Sequence, residues 1–172
     1  HAHARIEGID SSAAKAAPGV LGVFTAADFG TNDAVVPCFI PLENKDGSSR
    51  ADPKPPILCR DEANYVGDNV AFVVAETLAQ ARDAAELISV DYAELEAVAG
   101  TKEALEPGRP QVHPEAPGNL AFDWFYGDES GVADAFAKAQ HVTRLDLVNN
   151  RLVCNAMEPP AAVAVFENRQ LT

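Results

Sequence analysis

The sequence predicts an α+β fold, chiefly because of the segment from residue 64 to residue 95. Residues 70–75 are apolar at every position, which is typical of a strand that is covered on both faces. A helical pattern follows, and residues 89–92 then alternate between polar and apolar, as in a half-buried strand. A chain of 172 residues buries roughly 70% of the surface that its unfolded form exposes, so it folds without a disulfide or a metal.

The first thirty residues predict two strands and two short helices. Asp10 or Ser11 is placed to cap the first helix, and the Pro18-Gly19 pair is placed to end it. The expected order is a strand at residues 4–9, a helix through residue 17, a strand at residues 20–25 and a helical turn at residues 26–29.

A polar stretch at residues 43–56 is rich in Pro, Gly, Ser and Asp and predicts a long exposed loop. Gly67 and Asp68 supply turn chemistry before the apolar strand. Thr77 and Gln80 have the spacing of a capping box at the start of the next helix. Its buried stripe is expected to contain Leu78, Ala81, Ala85 and Ile88. We expect the two flanking strands to pair in parallel through a right-handed crossover.

The second half of the chain begins with a helical turn at residues 101–105 and a linker at residues 106–119. The linker holds four prolines and two glycines, so we expect an extended path over the surface. Ser130 is placed to cap a short helix that carries Val132 and Phe136 on one face. Alternating apolar residues predict further strands at residues 120–126, 143–147 and 161–166.

Composition excludes several classes of function. Acidic residues outnumber basic ones by 26 to 13, which disfavours nucleic acids and anionic membranes as partners. No apolar run reaches the ~18–20 residues of a membrane span, and no signal-peptide pattern is present. Cys38, Cys59 and Cys154 form no C-x-x-C pair, so we expect reduced thiols in a cytoplasmic protein rather than disulfides or structural zinc.

Several polar and aromatic residues are candidate functional residues, and each also has a purely structural interpretation. His1 and His3 alternate on a strand, but two imidazoles are too few for a zinc site. Glu158 is either a pocket residue near a cofactor or, as we prefer, a carboxylate that orders the neighbouring backbone. The Gly67-Asp68 pair is interpreted as ordinary turn chemistry rather than a phosphate cradle. The aromatic residues are interpreted as a core or inter-domain strand rather than a surface that stacks bases; they are Phe122, Trp124, Phe125 and Tyr126. His113 and His141 have no Cys or Ser partner at motif spacing, and no pocket is specified in which Glu94 and Glu96 would act as acid and base.

Four ordered motifs resemble the large, molybdenum-carrying subunits of the xanthine dehydrogenase, aldehyde oxidase and carbon monoxide dehydrogenase family. Residues 1–6 resemble the P-H-A-H-A-R-I segment of bacterial members, and residues 10–25 resemble D-x-S-x-A-x-x-x-P-G-V-x-x-V-x-T. Residues 113–119 resemble the end of V-H-x-E-A-P-G-N, and Asn150 through Pro159 resembles N-x-R-x-x-x-x-x-M-E-P. The segment at residues 64–95 is similar to the family as well.

The resemblance implies an α/β hammerhead domain at residues 1–105, a linker at residues 106–119, and at residues 120–172 the incomplete start of a molybdopterin-binding domain. It implies that the parent binds a molybdopterin cofactor and oxidises an aldehyde, a heterocycle or carbon monoxide, with water as the oxygen source. Electrons would leave through iron–sulfur clusters and flavin on partner subunits or domains.

The family's catalytic glutamate and main cofactor loops lie beyond Thr172. The resemblance therefore assigns no catalytic residue and no metal ligand to this chain, and it leaves its cofactor-binding residues unknown. We expect the chain to be a piece of a longer protein, with a structural role and no activity of its own. The alternative is a non-catalytic binding or assembly module with the same hammerhead fold. Substrate, pterin form and oligomeric state are not specified by these residues.

The predicted half-sheet at residues 120–172 leaves Val163, Val165 and Phe166 without obvious cover. We expect this half to pack on the hammerhead in its own way, to self-associate with another copy, or to exchange its amide hydrogens first.

Overall fold

The computed structural model describes residues 1–30, 35–36, 38–149, 152, 157–158 and 162–172. These residues form two compact units, His1–Tyr126 and Gly127–Thr172. In chain order the first unit contains β1 (Ala4–Asp10), α1 (Ser12–Lys15), β2 (Val20–Thr25), a 3-10 turn (Ala26–Phe29), β3 (Glu62–Ala63), β4 (Ala71–Ala75), α2 (Leu78–Glu86), β5 (Ser89–Glu94), α3 (Thr101–Ala104) and a 3-10 turn at Pro117–Asn119.

Two antiparallel sheets organise the first unit. One has the order β3-β1-β5, and its central strand carries an irregularity between Ile6 and Gly8. The other is the pair β2-β4, in which Val23 lies opposite Val73 and Phe24 lies opposite Phe72. Because side chains alternate along a strand, the two valines and the two phenylalanines lie on opposite faces of this pair.

The core lies on the valine face of the β2-β4 pair, under the two helices. Ala14 of α1 and Ala84 of α2 are both fully buried, and Val23 between them is almost so. Partly buried side chains pack against this cluster, namely Ala17, Val20, Val73 and Ile88. Small alanine side chains allow the helices to approach the sheet closely, which excludes water from the valine face.

The predicted parallel pairing of the strands on either side of α2 is wrong. β4 pairs with β2 and β5 pairs with β1, both antiparallel, so α2 carries the chain from one sheet to the other. Each strand has a suitable apolar pattern, but the pattern does not say which strand will be its neighbour. The packing of both helices on one face of β2 and β4 fixes the partners.

The expectation that β4 is covered on both faces is also wrong, since the Phe72 side chain is 60% exposed. The predicted helix is confirmed, and Ile88 of the expected stripe packs against the core, but the fully buried position is Ala84, and Leu78 is exposed. The helix is rotated so that Ala84 lies in the buried cluster with Ala14 and Val23.

The local capping predictions are mostly confirmed. The Thr77 hydroxyl accepts a hydrogen bond from the Gln80 amide at 3.2 Å and donates one to Gln80 Oε1 at 2.9 Å. Asp10 Oδ1 accepts from the Ser12 amide at 2.9 Å, but α1 ends earlier than expected, at Lys15. The helical turn at Ala26–Phe29 is present, with Thr25 and Asp28 forming a capping box that the sequence reasoning missed.

The segment after α3 is not the extended path that its prolines predicted, because it folds back through turns and the 3-10 turn at Pro117–Asn119. Residues 120–126 form no regular strand either. Instead their backbone meets the loop at residues 43–56: the Lys45 amide donates to the Asp123 carbonyl at 2.7 Å, and the Ala51 amide donates to Ala121 at 2.8 Å. An irregular loop partner satisfies these groups without a ladder.

The second unit contains α4 (Glu129–Lys138) and a hairpin of β6 (Phe166–Glu167) and β7 (Gln170–Leu171). The cap of α4 is Asp128, which accepts from the Gly131 amide at 2.9 Å, rather than the predicted Ser130. Residues 143–147 form no strand, and of the strand predicted at residues 161–166 only Phe166 is in one, while Ala161 lies outside the described residues.

Every described residue of the second unit is exposed, so its alternating segments have no apolar surface to pack on. Strands without a neighbour or a packed face are not stable, which explains the missing ladders. Self-association of this half stays a prediction.

We expect Val23→Ala to lower the free energy of unfolding of the chain by ~1–3 kcal/mol, because it removes buried methyl groups at the centre of the core. Leu21→Ala is the control, since Leu21 is 69% exposed on the same strand and its truncation should cost less than ~0.5 kcal/mol. Chemical denaturation measures both values. Equal losses for the two variants would show that the core is not on the valine face.

Candidate functional site

The outer face of the β2-β4 pair is apolar and open. Phe24 and Phe72 lie side by side on it, across the two strands. A pocket of ≈ 660 Å³ opens beside them and is lined by Phe24, Phe29, Ile57, Leu58, Asn69, Ala71 and Phe72. Among these lining residues Asn69 is the one with a polar side chain. Three aromatic rings and two large aliphatic side chains therefore surround a cavity that has no cover from the described chain.

A second, smaller pocket of ≈ 330 Å³ shares Ala71 and Phe72 with the first. It runs between β4 and α2, and its other lining residues are Val70, Val73, Ala81, Arg82, Ala85, Ile88 and Val90. We call the combined lining of the two pockets the Phe72 surface. This surface includes Val73 and Ile88, which are partly buried against the core, together with the exposed Phe72. Large exposed apolar patches mark interaction sites.

The two N-terminal histidines, which the sequence placed on one strand, contact different groups. His1 Nδ1 lies 3.0 Å from Glu94 Oε1, and its ring packs on Tyr92. His3 is buried, and its Nδ1 lies 3.0 Å from the Glu96 carbonyl oxygen. Because a carbonyl only accepts, Nδ1 carries the hydrogen and the bond ties the start of β1 to the end of β5. His3 Nε2 has no hydrogen-bond partner and faces Glu62 Oε2 at 3.7 Å.

The predicted Gly67-Asp68 turn is confirmed as turn chemistry. Gly67 has a φ of 109°, and the Asp68 carboxylate accepts from the Asn64 amide at 2.7 Å. The sequence reasoning missed that this turn brings Asp68 to the buried Cys59. Burial raises the pKa of the Cys59 thiol to about 11, and the Asp68 carboxylate adds to that shift. This thiol is consequently protonated at neutral pH and is not a nucleophile.

The aromatic cluster around Trp124 is not the core or inter-domain strand that the sequence predicted. Trp124 and Tyr126 are exposed and stack on each other, with ring centroids 6.1 Å apart. Lys45 Nζ lies 4.9 Å from the centre of the Phe125 ring, a cation–π contact that joins this segment to the loop at residues 43–56. Because residues 120–126 form no strand, their alternating aromatic side chains do not pack in a core.

The other predicted site residues do not come together. Glu158 and its neighbour Met157 are exposed at a bend, while Asn150, Arg151, Cys154 and Pro159 lie outside the described residues. His113 lies in the turns before Pro117–Asn119, and His141 lies in the second unit. Glu94 and Glu96 serve the N-terminal histidines as described.

Asn119, the last residue of the P-G-N segment, makes the densest set of side-chain hydrogen bonds in this region. Its Nδ2 donates to the carbonyls of Ala104 at 3.0 Å and Pro110 at 2.9 Å, and its Oδ1 accepts from the Val112 amide at 2.9 Å. Its φ of 59° is in the left-handed region, where asparagine is favoured among residues with side chains. Asn119 thus ties the end of α3 to the turns that follow it.

The described residues show no candidate metal cluster. They contain no group of three or more His, Cys, Asp or Glu side chains that could hold a metal. Their two buried side-chain atoms without a hydrogen-bond partner are His3 Nε2 and Asn64 Oδ1.

Comparison with known proteins gives two family matches in consecutive order. Residues 1–96 match the family described as aldehyde oxidase and xanthine dehydrogenase, a/b hammerhead domain. Residues 112–172 match the molybdopterin cofactor-binding domain.

Individual relatives agree with these matches. The nicotine 6-hydroxylase large subunit of Paenarthrobacter nicotinovorans is 33% identical over 96% of this chain and 20% of its own length. The carbon monoxide dehydrogenase large chain of Afipia carboxidovorans is 32% identical over 97% of this chain and 21% of its own. The solved CO dehydrogenase from Oligotropha carboxidovorans is 34% identical over 82% of this chain and 18% of its own, with a TM-score of 0.68. The chain thus spans about a fifth of the curated relatives.

We expect Asn119→Gly to lower the free energy of unfolding by ~1–3 kcal/mol, because glycine keeps the left-handed backbone but loses all three side-chain hydrogen bonds. Gln111→Ala is the control, since the Gln111 side chain only donates to exposed carbonyls of the same turn. Hydrogen exchange at residues 104–112 should quicken in the first variant alone. Unchanged exchange and stability in Asn119→Gly would show that the three bonds do not hold the turns.

We expect the thiol of Cys59 to resist alkylation at pH 8 while the exposed Cys38 reacts, because Cys59 ionises only near its raised pKa of about 11. Asp68→Asn should lower the Cys59 pKa, since it removes a negative charge that opposes the thiolate; Asp83→Asn, remote from the thiol, is the control. The pH dependence of alkylation, read site by site by mass spectrometry, measures the effect. If alkylation of Cys59 in the unsubstituted chain had its midpoint near pH 9, the assignment of a raised pKa to this thiol would be wrong.

Proposed function

Because the chain belongs to the aldehyde oxidase and xanthine dehydrogenase family, we propose that it serves as the hammerhead scaffold of a molybdenum hydroxylase large subunit. The observation that supports this role is the pair of consecutive family matches, hammerhead first and cofactor-binding domain second. The hammerhead part would position the cofactor-binding domains and contribute no reacting group.

The division into parts follows the sequence prediction: a hammerhead domain at residues 1–105, a linker at residues 106–119 and the start of the cofactor-binding domain at residues 120–172. The Asn119 side chain supports a linker that is held rather than loose, because it binds the carbonyls and amide of three other residues. These bonds would keep the linker in one arrangement next to the end of α3.

The parent enzyme would oxidise an aldehyde, an aromatic heterocycle or carbon monoxide. This range follows from the relatives, which include a nicotine hydroxylase, an aldehyde oxidoreductase and a carbon monoxide dehydrogenase. The molybdopterin cofactor, when bound to the parent, would supply the redox chemistry. No residue of this chain is proposed as catalytic, as a cofactor ligand or as a metal ligand.

Partner subunits follow from the same relatives, which are named as large subunits or chains of enzyme complexes. We propose iron–sulfur and flavin subunits or domains as the electron acceptors. None of the helices in the described residues is long and apolar enough to cross a membrane. We propose the cytoplasm as the compartment, on the strength of the reduced-thiol pattern in the sequence.

We expect the isolated 172-residue chain to bind no molybdenum and to show no turnover, while the full-length large subunit, assembled with its partners, carries molybdenum and oxidises at least one of three substrates. The substrates are an aldehyde, an N-heterocycle and carbon monoxide, assayed with an artificial electron acceptor alongside metal analysis. Stoichiometric molybdenum on the isolated chain would contradict the scaffold role. A molybdenum-free, inactive full-length complex would favour the assembly module without catalysis.

A further inference from the structure

The Phe72 surface combines two features that are seldom left exposed together. Its side chains are apolar, with Asn69 and Arg82 as the polar exceptions among the lining residues. Phe72, at its centre, lines both pockets and is 60% exposed. Transient protein–protein interfaces have about the same polar content as ordinary surface, whereas permanent contacts resemble a domain core cut in half. The composition of this surface matches the permanent kind.

The second feature is an open strand edge at the same place. Among the described residues β4 pairs with β2 alone, so its other edge has no neighbouring strand. An open edge presents a row of unpaired amide and carbonyl groups, and proteins normally cover such an edge when the strand is flat and apolar. Here the strand is Ala-Phe-Val-Val-Ala, with no charge and no proline to block pairing.

From these observations we propose that the Phe72 surface and the open edge of β4 receive an apolar β-strand from the remaining part of the parent large subunit. The inference rests on the proposed function, since it requires a longer parent chain. The incoming strand would pair with β4 by main-chain hydrogen bonds and place alternate apolar side chains against the two pockets, as in β-strand addition.

The occupant is taken to be the same polypeptide because of chain length and covalent linkage. The chain spans 20% and 21% of two relatives, so about four fifths of a parent of similar length lies outside it. A segment on the same polypeptide meets this surface at a high effective concentration and loses little translational freedom in doing so. A partner subunit or a second copy would lose more translational entropy on binding. Occupation of the surface by either of them is an alternative outcome of the test.

The experiment uses the full-length large subunit with a single added cysteine, Phe72→Cys, and a thiol-reactive maleimide. Asp83→Cys is the matched control, because Asp83 is an exposed residue of α2 that lines neither pocket. Each labelling rate is divided by the rate of the same variant in denaturant, and the labelled site is identified by mass spectrometry. We expect Phe72→Cys to label at least ~10-fold more slowly than Asp83→Cys in the folded large subunit alone.

Hydrogen exchange on the unmodified large subunit provides a second measurement that does not depend on the folding of a variant. Amides of residues 71–75 should be protected in the full-length subunit by at least ~10-fold more than in the 172-residue chain, because the open edge gains hydrogen bonds. Amides of residues 78–86 in α2 should change far less, since their bonds are within the helix.

Three results would overturn the inference. Equal labelling of both cysteines in the full-length subunit would mean that the surface is open. Protection that develops only after partner subunits are added would assign the surface to a partner. Protection that disappears on dilution of the large subunit would assign it to a second copy. These readouts need no molybdenum and no substrate, so they distinguish a failure of this inference from a failure of the proposed activity.

Discussion

The close packing of two alanines against one valine is the contact on which the rest of the first unit depends. Ala14 and Ala84 are fully buried beside Val23, where α1 and α2 meet the β2-β4 pair. Because all three side chains are small, the helices lie close to the sheet and a modest cluster excludes water. Both helices occupy the same face of the pair, and as a result the opposite face, with Phe24 and Phe72, has no cover from the described chain.

That one-sided core leaves an apolar surface of the first unit open, while several polar side chains of the same unit make local contacts. The polar groups are occupied locally: Asp68 holds a turn, Asn119 holds the residues after α3, and His3 ties β1 to the end of β5. The buried Cys59 thiol is held neutral by its surroundings. The Phe72 surface remains open and apolar, which suits the proposed scaffold role, since such a scaffold would contact other parts of a larger protein.

In the second unit, too, regular structure depends on the neighbours that a segment can pack against. Its residues carry alternating apolar patterns, yet every described side chain is exposed and regular structure is limited to α4 and the short β6-β7 hairpin. A helix is stabilised partly by its own hydrogen bonds and by the Asp128 cap, whereas a strand needs a neighbour. The helix is present and the predicted strands are mostly absent because helical hydrogen bonds are local, whereas those of a strand require a distant neighbour.

The sequence by itself determined the features whose causes are local. The strand at Ala4–Asp10, the Thr77 cap, the turn at Gly67 and Asp68, and the family membership could all be read from residue patterns. Only the tertiary structure decided that β4 pairs with β2, that Ala84 rather than Leu78 faces the core, and that Phe72 lies on an open surface. An apolar pattern indicates that a residue can be buried. Which neighbour buries it depends on how elements that are distant in the sequence pack against it in the fold.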